Sequence, residues 1–317
     1  MTTSKRDHGG GIDAAAEKYG GRRIDWIDLS TGINPVPYPL PEISPDAWRS
    51  LPDANAERRM GDAARSFWNV PEGAEIVIAG GASALISRIP GLLPAGRVLI
   101  PRPTYNEHAA AFDMQGWAVT QSGSGDAQVV VHPNNPDGRV WGTQTLPAGD
   151  AKLTIIDESF CDVCPDESLV SMAARPGTLV LKSFGKFWGL AGLRLGFAIG
   201  DPRLIERLKD MLGPWAVAGP ALEIGAAALE DHDWAEETRA RLGRDSARLD
   251  ALLERAGAKT VGGTTLFRLY KVDDASAWQE RLARHHIWTR VFPYEGTWLR
   301  LGIPGPEDWT RLTSALA

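Results

Sequence analysis

The chain has 317 residues, 43% hydrophobic and 23% charged, the make-up of an ordinary globular protein with room for a large core and two domains. A formal net charge of −6 argues against general binding to nucleic acid or to an anionic membrane. No run of about 18 or more apolar residues offers a membrane span, and the opening "MTTSKRDHGGGIDAAAEKYG" lacks an apolar stretch of signal-peptide type, so the cytosol is the expected compartment.

Residues 1–45 are rich in Gly and Pro, close on "NPVPYPLP", and read as an arm with loops. Beyond them helical patterns alternate with short β-rich runs: "EIVIAG" (75–80), "RVLIP" (97–101), "WAVTQS" (117–122), "AQVVVH" (127–132), "KLTIID" (152–157), "TLVLKS" (178–183) and "LGFAIG" (195–200). Seven Val/Ile/Leu-rich runs separated by helix-sized spacers predict an α/β fold, a mostly parallel seven-stranded sheet sandwiched by helices. "GGAS" (80–83) leads into the helix candidate "ASALISRIPGLL". Asp201-Pro202 reads as N-cap and first position of "PRLIERLKDML", which Gly213-Pro214 stops. "PALEIGAAALEDHDWAEETRARLGRDSARLDALLERAG" reads as long amphipathic helix with a break. The end mixes "TTLFRLYKV" and "WLRLGI" with the helix "DASAWQERLARHH", an α+β pattern. The expected organisation is an arm and substrate loop (1–45), a large domain (46–218) and a smaller C-terminal α+β domain (219–317). The two cysteines, Cys161 and Cys164, lack the second ligand pair or redox context that C-x-x-C chemistry needs, so they read as reduced structural thiols, with no metal expected. Trp188 and Trp215 read as packing residues.

In an open α/β sheet, ligands collect beyond the carboxyl ends of the strands. "HPNNPDG" (132–138), "DESF" (157–160) and "SFGK" (183–186) each follow a strand. An amide, a carboxylate, an amine and the free N–H groups of a Gly-rich turn thus converge on one edge. Each has a plain alternative. "GGAS" suits a tight turn as well as a phosphate, Asp157 suits a helix cap, Asn135 suits Asn-Pro turn chemistry, and Lys186 suits an exposed lysine. Taken together they fit one ligand better than four coincidences, and Lys186 and Arg194 in "SFGKFWGLAGLRLGF" then face an anion that the sequence itself does not supply.

"PNNPDG", "IIDES" and "SFGKFWGLAGLRLG", in that order, resemble the fold-type I pyridoxal-phosphate enzymes of the aminotransferase class I/II superfamily. The resemblance covers nearly the whole chain. It implies pyridoxal 5'-phosphate as cofactor, Lys186 as the lysine bonded to it, Asp157 as partner of the pyridinium nitrogen and Asn135 as partner of the phenolic oxygen. It likewise implies Tyr105 stacked on the ring, and Gly81, Ala82, Ser83, Ser183 and Arg194 around the cofactor phosphate.

"HGGGIDAAAEKYGGRRIDWIDLSTGINPVPYP" and "PTYNEHAAAF" are similar to threonine-phosphate decarboxylases of the cobalamin pathway, relatives of histidinol-phosphate aminotransferases. Phe160 fits the decarboxylase side, where the aminotransferases usually carry tyrosine. This implies that Arg300 grips the substrate carboxylate, and that His8, Asn34 and Arg290 line the phosphate end. The expected partner molecule is a small phosphorylated amino acid, on a homodimer that works beside a partner enzyme of corrinoid side-chain attachment. Three positions depart from the pattern: Ala56 stands where a cross-subunit tyrosine is common, Gly185 replaces a hydroxyl residue before the lysine, and Asp137 replaces a threonine. The alternatives are an aminotransferase of a phosphorylated substrate and a non-catalytic assisting subunit, for which the Ala56 and Gly185 departures leave room.

Overall fold

The computed structural model describes residues 7–147 and 151–317; residues 1–6 of the expected arm lie outside the described residues. The strands are β1 (Ile27–Asp28), β2 (Glu75–Ala79), β3 (Arg97–Leu99), β4 (Ala118–Thr120), β5 (Ala127–Val131), β6 (Leu153–Asp157), β7 (Thr178–Ser183), β8 (Gly196–Gly200), β9 (Lys259–Thr264), β10 (Phe267–Lys271), β11 (Ile287–Trp288), β12 (Arg290–Phe292) and β13 (Glu295–Gly302). The α-helices are α1 (Ile12–Tyr19), α2 (Pro45–Arg49), α3 (Ala54–Phe67), α4 (Ala82–Ile86), α5 (Asn106–Met114), α6 (Pro202–Leu212), α7 (Gly219–Glu230), α8 (His232–Arg255), α9 (Ala275–Ala283) and α10 (Trp309–Leu316). None of the described helices is long and apolar enough to cross a membrane.

Two compact units result, residues 37–135 with 140–236, and residues 1–36 with 136–139 and 237–317. The division therefore differs from the expected boundaries at 45/46 and 218/219. Helix α7 belongs to the larger unit because it is nearly apolar all round, with Leu222, Ile224, Ala228 and Leu229 buried, and packs on α3.

In the larger unit the seven strands expected from the sequence form one sheet in the order β2-β8-β7-β6-β5-β3-β4. The four pairings from β7 through β6, β5 and β3 to β4 are parallel, while β8 runs antiparallel to both β7 and β2. Strands β5 and β8 are buried at every position, as continuous apolar runs covered on both faces require. Caps follow local chemistry. Asp201 accepts from the Arg203 N–H with Pro202 at the first position of α6, and Gly213 at φ +76° ends that helix. The chain breaks at Asp231 between α7 and α8. The helix expected over "ASALISRIPGLL" is instead one α turn, α4, followed by a 3-10 turn at Ile89–Leu92, since Pro90 cannot continue an α-helix.

The smaller unit holds the sheet β12-β13-β10-β9, all antiparallel, and the short parallel pair β1-β11. The N-terminal segment is more ordered than an arm of loops. Ile12 and Ala15 of α1 bury against Trp26 and Ala283, and Leu29 N–H donates to the Trp288 carbonyl at 2.8 Å.

Candidate active site

The carboxyl ends of β5, β6 and β7 lie side by side, with Val131 in register with Asp157 and Asp157 in register with Leu181. Because β8 turns back on β7, the twelve residues between them must close an antiparallel pair, and Phe184 N–H bonds the Leu195 carbonyl at 3.1 Å. That connection carries Lys186 and Arg194. Opposite it, Gly81 opens α4 at φ +91°. A side chain at Gly196 would meet the Ala82 nitrogen at 2.3 Å, so strand and turn touch backbone to backbone.

One cavity results, and Ser83, Ser183, Arg194, Asp157, Asn135 and Tyr105 all line it. Ala82, Phe160 and Lys186 complete its wall. The Lys186 amine stands 5.4 Å from the centre of the Phe160 ring. The expected convergence of amide, carboxylate, amine and Gly-rich turn is thus realised within the larger unit.

Asp157 is the electrostatic centre. It is 2% exposed, and its two oxygens are held from different directions. Oδ2 sits 2.7 Å from His108 Nε2, while Oδ1 accepts from the Ser159 N–H at 3.0 Å and the Ser159 hydroxyl at 2.5 Å. Burial pushes the carboxyl up, but the bonds from His108 and Ser159 outweigh it and leave Asp157 below the usual carboxylate range. It lines the cavity as a carboxylate favoured in its ionised form, not as a helix cap. His108 was not among the residues singled out from the sequence. It lies in the already noted "PTYNEH", in the first turn of α5, whose N-cap is Tyr105; the two rings are 6.1 Å apart edge to face.

Arg194 adopts φ +54°, ψ +57°, a left-handed conformation that costs a non-glycine residue about 1–2 kcal/mol. Strain of this kind persists where surrounding structure imposes it. Arg194 Nη1 donates to the Ala191 carbonyl at 2.8 Å, and its guanidinium packs on Gly81, where an added Cβ would lie 2.5 Å from Nη2.

Lys182, on β7, belongs to a buried charge cluster that sequence reasoning missed. Lys182 Nζ stands 2.6 Å from Glu158 Oε2 and 3.5 Å from Asp162 Oδ1. The Asp162 oxygens accept from Trp68 Nε1 at 2.9 Å and Trp188 Nε1 at 3.1 Å. Trp188, fully buried, is stacked between Phe184 and Trp234 with ring centres 5.1 and 5.3 Å away. The packing expectation holds for Trp188 and fails for Trp215, which is 55% exposed at φ +55°.

Cys161 and Cys164 are free thiols. His132, Glu158 and Cys161 offer ligand atoms within 4.8 Å of one another. His132 is committed elsewhere, because Nδ1 accepts from the Trp141 N–H at 3.0 Å and Nε2 bonds the Glu167 carbonyl at 2.7 Å, leaving no imidazole lone pair for an ion.

The four residues expected at the substrate lie in the smaller unit. Arg300 is 5% exposed; its Nη2 donates to the Ser30 carbonyl at 2.7 Å and its guanidinium lies 5.1 Å over the Phe267 ring. Arg290 is its cross-strand partner on β12. Burial, then repulsion from Arg290, lowers the Arg300 guanidinium to about 10. Arg290 bonds the Asp7 carboxylate and the carbonyl, not the ring, of the exposed His8. Asn34 is buried, its side-chain oxygen accepting from Arg241 Nη2 at 2.6 Å and the Val36 N–H at 3.1 Å.

Chemically, the cavity offers a cation with hydroxyls, a carboxylate favoured as the anion, and an amine. Those suit a small ligand with an anionic end, a protonated nitrogen and a carbonyl carbon.

Known proteins match this chain along most of its length. The threonine-phosphate decarboxylase of Sinorhizobium sp is 42% identical, the alignment covering 98% of this chain and 97% of that one. The threonine-phosphate decarboxylase of Pseudomonas aeruginosa is 39% identical over the same shares. A solved histidinol-phosphate aminotransferase from Sinorhizobium meliloti, in complex with pyridoxal-5'-phosphate, superposes with a TM-score of 0.81 at 18% identity, covering 97% of this chain and 93% of the other, a likeness of fold. The family model "Aminotransferase class I and II" matches residues 118–316. The chain therefore belongs to the aminotransferase class I and II family.

Proposed function

We propose that the protein is a pyridoxal 5'-phosphate-dependent decarboxylase of L-threonine O-3-phosphate, yielding (R)-1-aminopropan-2-ol O-2-phosphate and carbon dioxide for corrinoid side-chain synthesis, and that it acts as a cytoplasmic homodimer. The observation that carries the reading is the single cavity uniting Lys186, Asp157 and Arg194 in a chain 42% identical to a threonine-phosphate decarboxylase.

The donor set fits the cofactor. Arg194, Ser83 and Ser183 would hold its phosphate, with the amides that follow Gly81; the buried Asp157 would face its ring nitrogen, Asn135 its phenolic oxygen, and Tyr105 its ring face. Lys186 would hold it covalently. When bound, the cofactor supplies an electron sink for the pair left on Cα when a substrate bond breaks.

The chain's own residues do the rest. Asp157, favoured as the anion by His108 and Ser159, would stabilise positive charge at the ring nitrogen, and His108 fixes the carboxylate's orientation. Arg300 holds the substrate carboxylate and so sets which Cα bond stands ready to break; Arg290 receives the phosphate. Cleavage of the Cα–carboxyl bond would release carbon dioxide, and Lys186, freed once the substrate amine has taken its place, would return a proton to Cα. Phe160 covers the cavity beside Lys186 and limits water there. Two guanidinium groups match a substrate that carries both a carboxylate and a phosphate.

An aminotransferase of a phosphorylated substrate is the second reading, favoured by the fold likeness to histidinol-phosphate aminotransferase. Incubation with L-threonine O-3-phosphate, following carbon dioxide and the amine together, separates the two. Equal release of both without a 2-oxo acid is expected. Amino transfer that depends on 2-oxoglutarate, with no carbon dioxide, overturns the decarboxylase reading.

A further inference from the structure

The N-terminal segment places a carboxylate on one of the two substrate arginines. Asp7 Oδ1 and Oδ2 accept from Arg290 Nη1 at 2.6 Å and Nη2 at 2.7 Å, and the His8 carbonyl bonds the same Nη1. The partners are 283 positions apart, so no local geometry imposes the contact. Arg290 and Arg300 stand opposite each other on β12 and β13, and like charges facing across a strand pair repel. That repulsion contributes, after burial, to the lowered Arg300 guanidinium. Asp7 thus brings a negative charge to Arg290, while Asp28 acts on Arg300. The Asp7 side chain is 42% exposed against 13% for Arg290, so the carboxylate is the outer and more easily exchanged member of the pair.

We propose that Asp7 is a placeholder anion: it occupies Arg290 until a phosphate monoester displaces it, and by competing it restricts that arginine to dianionic substrates. A phosphate monoester carries about −1.5 to −2 charges and three acceptor oxygens. On the Arg290 guanidinium a dianion with three acceptor oxygens outmatches a single carboxylate, whereas a hydroxyl or a monoanion gains nothing over Asp7. Asp7 therefore acts on specificity through Arg290 and is not itself a catalytic residue. The inference rests on the assignment of Arg290 to the substrate's phosphate end.

The test uses the full chain saturated with pyridoxal phosphate, with inorganic phosphate as probe in isothermal titration calorimetry and L-threonine O-3-phosphate as substrate. Asp7→Asn is expected to bind inorganic phosphate roughly fivefold more tightly than the parent, equivalent to about 1 kcal/mol at 1.4 kcal/mol per decade, the upper end of what a partly exposed ion pair contributes. KM for threonine phosphate should fall by a similar factor at constant kcat. Asp7→Glu, which keeps the carboxylate, should resemble the parent. In an Arg290→Gln background the Asp7→Asn gain should vanish. Unchanged or weaker phosphate binding in Asp7→Asn overturns the proposal, as does a gain that persists without Arg290. Tighter phosphate binding in Asp7→Asn with no turnover by any variant supports the displacement and refutes the decarboxylase reading instead.

Discussion

Gly81→Ala tests whether the turn before α4 and the guanidinium of Arg194 form one anion-holding unit. Gly81 sits at φ +91°, ψ 155°, a region essentially restricted to glycine, and an added Cβ would lie 2.5 Å from Arg194 Nη2 and 3.1 Å from Cζ. The backbone strain alone should lower folding stability by about 1–3 kcal/mol. The clash adds a separate effect on the cofactor. The atom the added Cβ meets is the far end of an exposed side chain bonded through Nη1 to the Ala191 carbonyl, so the clash should turn the guanidinium out of its place in the cavity. Losing one charged hydrogen bond to the cofactor phosphate costs about 1.5–3 kcal/mol, or roughly tenfold to a hundredfold in affinity. Titration of the apoprotein with pyridoxal phosphate, followed by absorbance, reads that loss. Arg194→Gln should show a loss of the same size, and the double variant should lose little more than either alone. If Gly81→Ala bound the cofactor as tightly as the parent, the guanidinium would not be the phosphate partner.

Lys186→Ala should abolish the yellow colour and the borohydride-reducible link to the cofactor; a reducible adduct in the variant would refute the assignment. His108→Phe removes one of the bonds that hold Asp157 below the usual carboxylate range. In the parent, a depressed carboxyl stays ionised as pH falls and is lost only through its own low value, so no acid limb from Asp157 should appear above about pH 4. In His108→Phe that limb should move up in the pH profile of kcat/KM, and an unmoved profile would show that His108 does not tune the carboxylate. Lys182→Met leaves Glu158 and Asp162 buried without their cation, and should destabilise the fold by about 3–5 kcal/mol at pH 7 in denaturant melts. A variant that melts like the parent would contradict the charge argument. At Gly185 an added Cβ would lie 3.4 Å from Ala191 Cα and 3.6 Å from Ser183 Oγ, ordinary contact distances. Gly185→Ser should therefore fit, add a hydroxyl near Ser183, and slow cofactor loss severalfold on dialysis; faster loss would refute that placement.

The sheet was legible in the sequence because its strands are continuous apolar runs and its helix stops are local chemistry. Asp201-Pro202 and Gly213 bound α6 without help from any distant residue. The site's first layer was legible for a related reason: Asp157 ends β6, Asn135 and Lys186 lie shortly beyond the ends of β5 and β7, and a parallel sheet brings strand ends together. Boundaries were less so. Helix α7 joined the larger unit on the strength of its packing against α3, and Pro90 cut short a helix whose apolar pattern ran on.

Groups that act through distant partners carried no local mark. His108 meets Asp157 across 49 positions, Trp68 meets Asp162 across 94, and Asp7 meets Arg290 across 283. A histidine, an indole or an aspartate looks the same in sequence whether it faces water or a buried charge. The desolvation and hydrogen bonding that hold Asp157 ionised, balance Lys182 against two carboxylates and set Asp7 against Arg290 exist only once the chain is folded. The sequence by itself determined which chemistry the strand ends present. Tertiary structure alone decided the charge state and strain of those groups, because both depend on neighbours that no spacing rule brings together.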